Sequence, residues 1–145
     1  MRPMVWLLRH GEAEDGSPDA DRRLTAEGER QARAAGAVLH ALGVALDVCL
    51  ASPKVRAADT ARLACEPLGT DVDLDRRLEG GPFEPQELLD GREEVLIVGH
   101  DPDLSLAVHR MTGAQVRLRK GGLAGVDRGE LVVLLRPDEL AAMGG

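Results

Sequence analysis

The run Val95-Leu96-Ile97-Val98-Gly99-His100-Asp101-Pro102 decides how the rest of the chain is read. Val95 to Val98 is apolar on both faces, as a central parallel strand must be when helices cover it from either side. Asp101 and Pro102 then read as a helix N-cap and a first-turn proline. Leu104, Val108 and Met111 fall on the inner face of the helix they start. Strand thus hands over to helix through Gly99-His100-Asp101, with a histidine at the junction.

Working outward, two further strand ends carry unusual polar residues. Met4 to Leu8 is a short apolar run, read as a buried strand, and it leads into Arg9-His10-Gly11. Leu46 to Ala51 is another buried strand. Ser52 and Pro53 follow it as N-cap and first-turn proline, and Arg56 lies one turn into the helix. Val55, Leu63 and Ala64 are expected on that helix's inner side. Between the two strands, Gly11 to Arg23 is polar, holds Gly16 and Pro18, and reads as a loop. Thr25 caps the next helix, with Glu27 and Glu29 in its first turn. Ala32, Ala35, Val38, Leu39 and Leu42 share one face, and Gly43 closes it. A further strand is expected near Asp71 to Leu74, a loop over Gly80 to Pro85, and a short helix over Gln86 to Leu89. Leu123 to Val126 and Leu131 to Leu135 read as a terminal strand pair, joined by the turn residues Asp127, Arg128 and Gly129.

Strands alternating with helices predict an α/β fold: a three-layer sandwich whose mostly parallel central sheet is flanked by helices. The 145 residues show no repeat and no dividing linker, so one domain over 1–145 is expected. Hydrophobic residues make up 43% and charged residues 30%, a globular rather than disordered balance. Trp6 and Phe83 are the only aromatics, which leaves Leu, Val, Ala and Ile to build the core. Cys49 and Cys65 sit in apolar surroundings and read as reduced core residues, not a disulfide or a metal site. The apolar run from Met4 is cut short by Arg9 and His10, so no signal peptide or membrane span is expected and the location is read as cytoplasmic. The net charge of -7 argues against a general nucleic-acid partner, which needs excess Lys and Arg against phosphates. Any anionic substrate must be held by a local cluster of positive charge.

That cluster is found at the strand ends. In open α/β sheets, ligands bind beyond the carboxyl ends of the strands. If the three strands are parallel neighbours, Arg9, His10, Arg56 and His100 meet in one pocket, at which helix N-termini also point. Arginine holds two phosphate oxygens at once through its planar fork of donors. A neutral imidazole among positive charges keeps a lone pair free and can act as nucleophile. A second histidine can donate to the phosphoryl oxygens as charge moves. Gly11 would leave room for phosphate to approach the backbone. No obvious metal-binding carboxylate stands among them.

Arg9-His10-Gly11 follows an N-terminal strand; then come Leu24-Thr25 with Gly28, Ser52-Pro53 before Arg56-Ala57 and Thr60, and Val98-Gly99-His100. In order and spacing this resembles the histidine phosphatase superfamily over nearly the whole chain. Its shortness and the Arg22 to Thr25 stretch are most similar to the small SixA-type phosphohistidine phosphatases. The resemblance implies a phosphoglycerate mutase-like fold without a large cap insertion, and a metal-independent phosphatase with no cofactor. It implies that His10 attacks phosphorus and becomes phosphohistidine, which water then hydrolyses. Arg9, Arg56 and His100 would bind the phosphoryl oxygens, helped by Arg22. Many relatives place a glutamate after the third strand to protonate the leaving group. Glu79, in Arg77-Leu78-Glu79-Gly80, stands near that place, although the short branch often lacks the residue.

The expected substrate is phosphohistidine in a protein. The alternatives are a small phosphomonoester metabolite or nucleotide, or a non-catalytic phosphate-binding regulatory module on the same fold. The expected partner is accordingly a phosphorylated protein or a small phosphorylated substrate, with no nucleic acid and no membrane. Oligomeric state is not legible. Other polar residues have plainer readings: His40 and His109 as ordinary helix residues, Asp19 and Asp21 as loop solubility residues, and Arg117, Arg119 and Lys120 as a solvated strand edge.

Overall fold

The computed structural model describes residues 4–144; the domain expected over 1–145 also takes in residues 1–3 and 145, which lie outside that range. The strands are β1 (Met4–Arg9), β2 (Val48–Ala51), β3 (Val72–Leu74), β4 (Glu94–Gly99), β5 (Leu123–Asp127) and β6 (Glu130–Leu135). They form one sheet in the order β3-β2-β4-β1-β5-β6. The pairs β3–β2, β2–β4 and β4–β1 are parallel, while β1–β5 and β5–β6 are antiparallel. The apolar run of β4 lies between two parallel neighbours, and Val95 to Val98 are each 0% exposed.

Helices cover both faces. Helices α1 (Ala26–Ala41), α2 (Val55–Cys65) and α5 (Pro137–Gly144) pack on Trp6, Leu8, Cys49, Leu96 and Val98. Helices α3 (Pro85–Leu89) and α4 (Asp103–Thr112) pack on Val5, Leu7, Leu50, Val95 and Ile97. The alternation of inward side chains along each strand supplies both cores. The protein therefore has the expected layered α/β architecture, with β5 and β6 closing one edge as a hairpin. Arg128 (φ 50°) and Gly129 (φ 79°) both take the left-handed conformation that a tight hairpin turn demands.

Several local expectations needed correction. The inner face of α2 is not Val55 and Leu63, which are only half-buried, but Arg56, Ala57, Thr60, Ala61 and Ala64. The reason is proximity: a Cβ at Gly36 of α1 would collide with the Ala64 carbonyl oxygen, so only small side chains fit between these helices. Leu42 is 54% exposed, because it is the C-cap of α1 and lies past the buried face. Thr25 caps α1 as expected, accepting the Gly28 N–H at 3.0 Å. By contrast, α2 starts at Val55 and α4 at Asp103, beyond the expected caps Ser52 and Asp101. Asp101 still serves the helix start, since its Oδ1 accepts the Ser105 N–H at 3.1 Å. Helix α5 was not anticipated; it is short, and its Leu140 is buried in the same core layer as α1 and α2. Arg117, Arg119 and Lys120 are not in a strand but in the irregular link between α4 and β5. Cys49 and Cys65 are buried and free. Among the described residues no helix is long and apolar enough to cross a membrane.

Candidate active site

Strand register builds the site. Arg9 of β1 lies opposite Gly99 of β4, and the His10 N–H donates to the Gly99 carbonyl at 3.0 Å. The next residue on each strand is a histidine, so the two imidazoles come together with ring centroids 5.3 Å apart. On the other side of β4, Ala51 of β2 lies opposite Val98. Ser52 therefore lands beside His100, and its Oγ is 2.8 Å from His100 Nε2.

A hydrogen bond assigns the tautomer of His10. His10 Nδ1 lies 2.7 Å from the Gly11 carbonyl oxygen, which can only accept. The proton is therefore on Nδ1, and Nε2 carries the lone pair. Ser52 Oγ already accepts the Lys54 N–H at 3.2 Å. Its proton and its second lone pair both remain for His100 Nε2, so this contact fixes the place of the imidazole. Both imidazoles are neutral near pH 7. Burial pushes His10 down to about 4; the Gly11 carbonyl opposes this, and Arg56, Arg9 and Lys120 add to it. Burial, followed by His10 and Arg56, pushes His100 down to about 3.

Six of the seven expected side chains line one cavity of about 340 Å³: Arg9, His10, Arg22, Arg56, Glu79 and His100. Gly11 is the exception. Its N–H donates to Thr60 Oγ1 at 3.0 Å, and a Cβ there would lie 2.5 Å from the Gly28 carbonyl oxygen. Glycine is needed because the backbone after β1 presses on the start of α1, not because phosphate approaches it. Its carbonyl serves the site by orienting His10.

The guanidinium groups are held from behind by carbonyl oxygens. Arg9 Nη1 donates to Leu118 at 2.9 Å, Arg56 Nη1 to Asp19 at 2.9 Å, and Arg22 Nε to Glu14 at 2.7 Å. Leu118 is fixed in turn, since its N–H donates to Ser105 Oγ and that hydroxyl donates to Asp101 Oδ2. Arg9 Nε, Arg56 Nε and His100 Nδ1 are buried and have no partner in the protein. Buried polar groups are normally satisfied, so three unpartnered nitrogens around one cavity fit a site that receives an anion. Among the described residues no group of three or more His, Cys, Asp or Glu side chains is arranged to hold a metal ion.

Sequence reasoning missed several participants. Lys54, Lys120, Asp101 and Asp103 also line the cavity. Lys54 follows the Ser52-Pro53 turn, and that adjacency was an available signal. Lys120 is far from the motif in sequence and reaches the cavity only through the path of the α4–β5 link, which the Gly121 N–H ties to the Arg9 and His10 carbonyls. Asp19, read as a solubility residue, contacts Arg22, Lys54 and Arg56. His40 and His109 are exposed and do not line this cavity.

Comparison with known proteins agrees with this geometry. The family model described as "Histidine phosphatase superfamily (branch 1)" matches residues 5–96. The mitochondrial serine/threonine-protein phosphatase Pgam5 of Drosophila grimshawi is 37% identical over 91 residues, covering 57% of this chain and 30% of its own length. The chain thus spans under a third of that relative. An uncharacterized protein of Picosynechococcus sp. is 33% identical over 141 residues, covering 86% of this chain and 85% of its own. A solved structure of the protein histidine phosphatase SixA complexed with tungstate superposes with a TM-score of 0.81 at 22% identity, covering 94% of this chain and 99% of that one.

Proposed function

Because this chain belongs to the histidine phosphatase superfamily, branch 1, we propose that it is a phosphatase that works without a metal, forms a phosphohistidine at His10 and takes its phosphoryl group from phosphohistidine in a protein. The carrying observation is the tautomer of His10. Its lone pair sits on Nε2, inside a cavity that also holds Arg9, Arg22, Arg56 and His100.

In the first step His10 Nε2 attacks phosphorus and a P–N bond forms. The bond from phosphorus to the leaving nitrogen breaks, and its electron pair stays on that nitrogen. The donors of Arg9, Arg56 and His100 receive the charge that builds on the equatorial oxygens. His10 Nδ1 keeps its proton and donates it to the Gly11 carbonyl, which favours the developing imidazolium. Glu79, which lines the same cavity, is the candidate to protonate the leaving nitrogen, entering this step as the carboxylic acid. In the second step the Glu79 carboxylate takes a proton from water as its oxygen attacks phosphorus, the P–N bond breaks with its pair returning to Nε2, and inorganic phosphate leaves.

Two features support a protein substrate. The cavity is lined by charged and histidine side chains and Gly80, with no aliphatic or aromatic wall to recognise a metabolite's ring or base. Its polar lining offers contacts to the phosphoryl group, so recognition of an apolar remainder must occur outside it. A leaving imidazole also needs less protonation than an alkoxide does.

The test is brief exposure to a phosphohistidine protein labelled on phosphorus, followed by a quench in acid or base. Label on His10 that survives base and is lost in acid supports the reading; acid-stable label, or equal labelling of His10→Ala, overturns it. A parallel panel of sugar phosphates and nucleotides tests the substrate class. Much faster turnover of any of these would replace the protein-substrate reading with a metabolite one.

A further inference from the structure

The cations that would receive the phosphoryl group are already holding an anion, and it belongs to the protein. Asp19 lies on a 3₁₀ turn (Asp19–Asp21) within the loop that follows His10. Its Oδ1 is 3.1 Å from Arg22 Nη1, while its Oδ2 is 3.2 Å from Arg56 Nη2 and 3.4 Å from Lys54 Nζ. All three cations line the cavity of His10 and His100. With its backbone carbonyl on Nη1 and its carboxylate on Nη2, Asp19 takes both terminal nitrogens of Arg56. The Arg56 side chain is only 8% exposed, whereas that of Asp19 is 55% exposed. A fixed, buried guanidinium is thus met by a carboxylate that can swing into solvent.

We propose that the Asp19 carboxylate occupies the phosphoryl-binding cations of the free protein and must leave them when substrate arrives, so that it sets the affinity of the site for both substrate and product. The inference rests on the reading that Arg22, Arg56 and their neighbours receive the phosphoryl group. Two physical arguments support it. A buried guanidinium left without a counter-charge is costly, so an internal anion stabilises the empty site. An anion that can move out gives the site back to a ligand with more charge and more acceptor oxygens, because a phosphoryl dianion satisfies several donors together. Arg22, then Arg56, hold the Asp19 carboxyl well below the usual carboxylate range. The same competition acts on inorganic phosphate after turnover and speeds its release. The backbone carbonyl of Asp19 is unaffected by a side-chain change and continues to hold Arg56 Nη1.

The experiment is calorimetric titration of the whole chain with tungstate, comparing the unaltered protein with Asp19→Asn and Asp21→Asn. Asp21 is on the same turn and carries the same charge, but the ion pairs to Arg22, Lys54 and Arg56 are made by Asp19. Asp19→Asn is expected to tighten tungstate roughly three- to tenfold, while Asp21→Asn changes it by less than about twofold. Inhibition by inorganic phosphate should strengthen in parallel in Asp19→Asn alone. A crystal structure of the tungstate complex should show the Asp19 carboxylate withdrawn from Arg56. Three results would overturn the idea: weaker tungstate binding in Asp19→Asn, which would make the carboxylate a brace for the arginines; equal tightening in Asp21→Asn, which would reduce the effect to net charge; or an Asp19 carboxylate still on all three cations with tungstate bound. If tungstate fails to bind the unaltered protein, the phosphoryl site itself is misplaced and both readings fall. If it binds and Asp19→Asn leaves its affinity unchanged, only the competition fails.

Discussion

The two walls of the cavity are built in different ways. One wall is strand-borne: His10 and His100 stand immediately after β1 and β4, with the buried Ser52 after β2 behind His100, and their positions follow from sheet register. The other wall is loop-borne: Arg22, Lys54 and Lys120 come from irregular segments around the mouth. Arg9 and Arg56 bridge the two, since each starts from a regular element while its guanidinium is held by a carbonyl, that of Leu118 or Asp19, in a loop. A backbone ladder places atoms to within a fraction of an ångström, as a nucleophile and its opposing donor require. Loops tolerate adjustment, which suits groups that collect an anion and let it go. The comparison assigns bond-making to the strand wall and affinity to the loop wall.

Three measurements can break or sharpen that division. The largest effect is expected for His100→Ala, which removes a strand-wall donor. It should lower kcat roughly 100- to 1,000-fold, in the range seen when one transition-state donor is lost. Pre-steady-state capture of the His10 phosphoryl adduct would locate the loss in its formation, and an unchanged kcat would dissolve the comparison.

An intermediate effect concerns stability and pH. His10 is held neutral in the folded protein with a value of about 4, against about 6.5 for a free histidine. As pH falls through that window, the unfolded chain binds a proton that the folded one refuses, so stability is lost. Below about pH 4 the folded protein takes up the proton too, and this loss stops growing. The slope for such a group is at most about 1.4 kcal/mol per pH unit. Urea unfolding of the protein and of His10→Gln at about pH 7 and about pH 5, on either side of the free-histidine value, should show the variant losing less stability on acidification. Parallel losses would mean that His10 is not held neutral by its burial.

The smallest effect is expected for Lys120→Ala on the loop wall. KM should rise about two- to fivefold with kcat nearly unchanged, as for removal of an exposed charge that acts on substrate and transition state alike. A kcat loss comparable to that of His100→Ala would place Lys120 in the chemistry and erase the distinction between the walls.

How far the site was legible followed the same division. His10, His100, Arg9 and Arg56 could be read because each stands at a fixed offset from an apolar run, and such runs are visible in sequence. Arg22 was read through family resemblance and does reach the cavity. Lys54, Lys120 and Asp19 were overlooked because a loop charge has no periodicity to mark where it points. Ser52 reads in sequence as a helix cap, but α2 starts later than expected, and this leaves the hydroxyl to His100. The need for Gly11 was legible and its cause was not. That cause is Gly28, a residue of α1 that meets it only in the folded protein. Ala64 was read on the inner face of α2, but Ala57 and Ala61 were passed over for the larger Val55 and Leu63, although small side chains are what let α1 and α2 approach closely.

By itself, the order of residues determined that strands alternate with helices, that three strands end in polar residues, and that the chemistry at those ends suits a phosphoryl group. Burial pattern and residue type carry that much because they are local. Only tertiary structure decided which nitrogen of His10 is free, which carbonyls hold the arginines, and that an aspartate already sits on the cations. Those outcomes depend on distances between atoms remote along the chain, which packing and strand register set and composition does not.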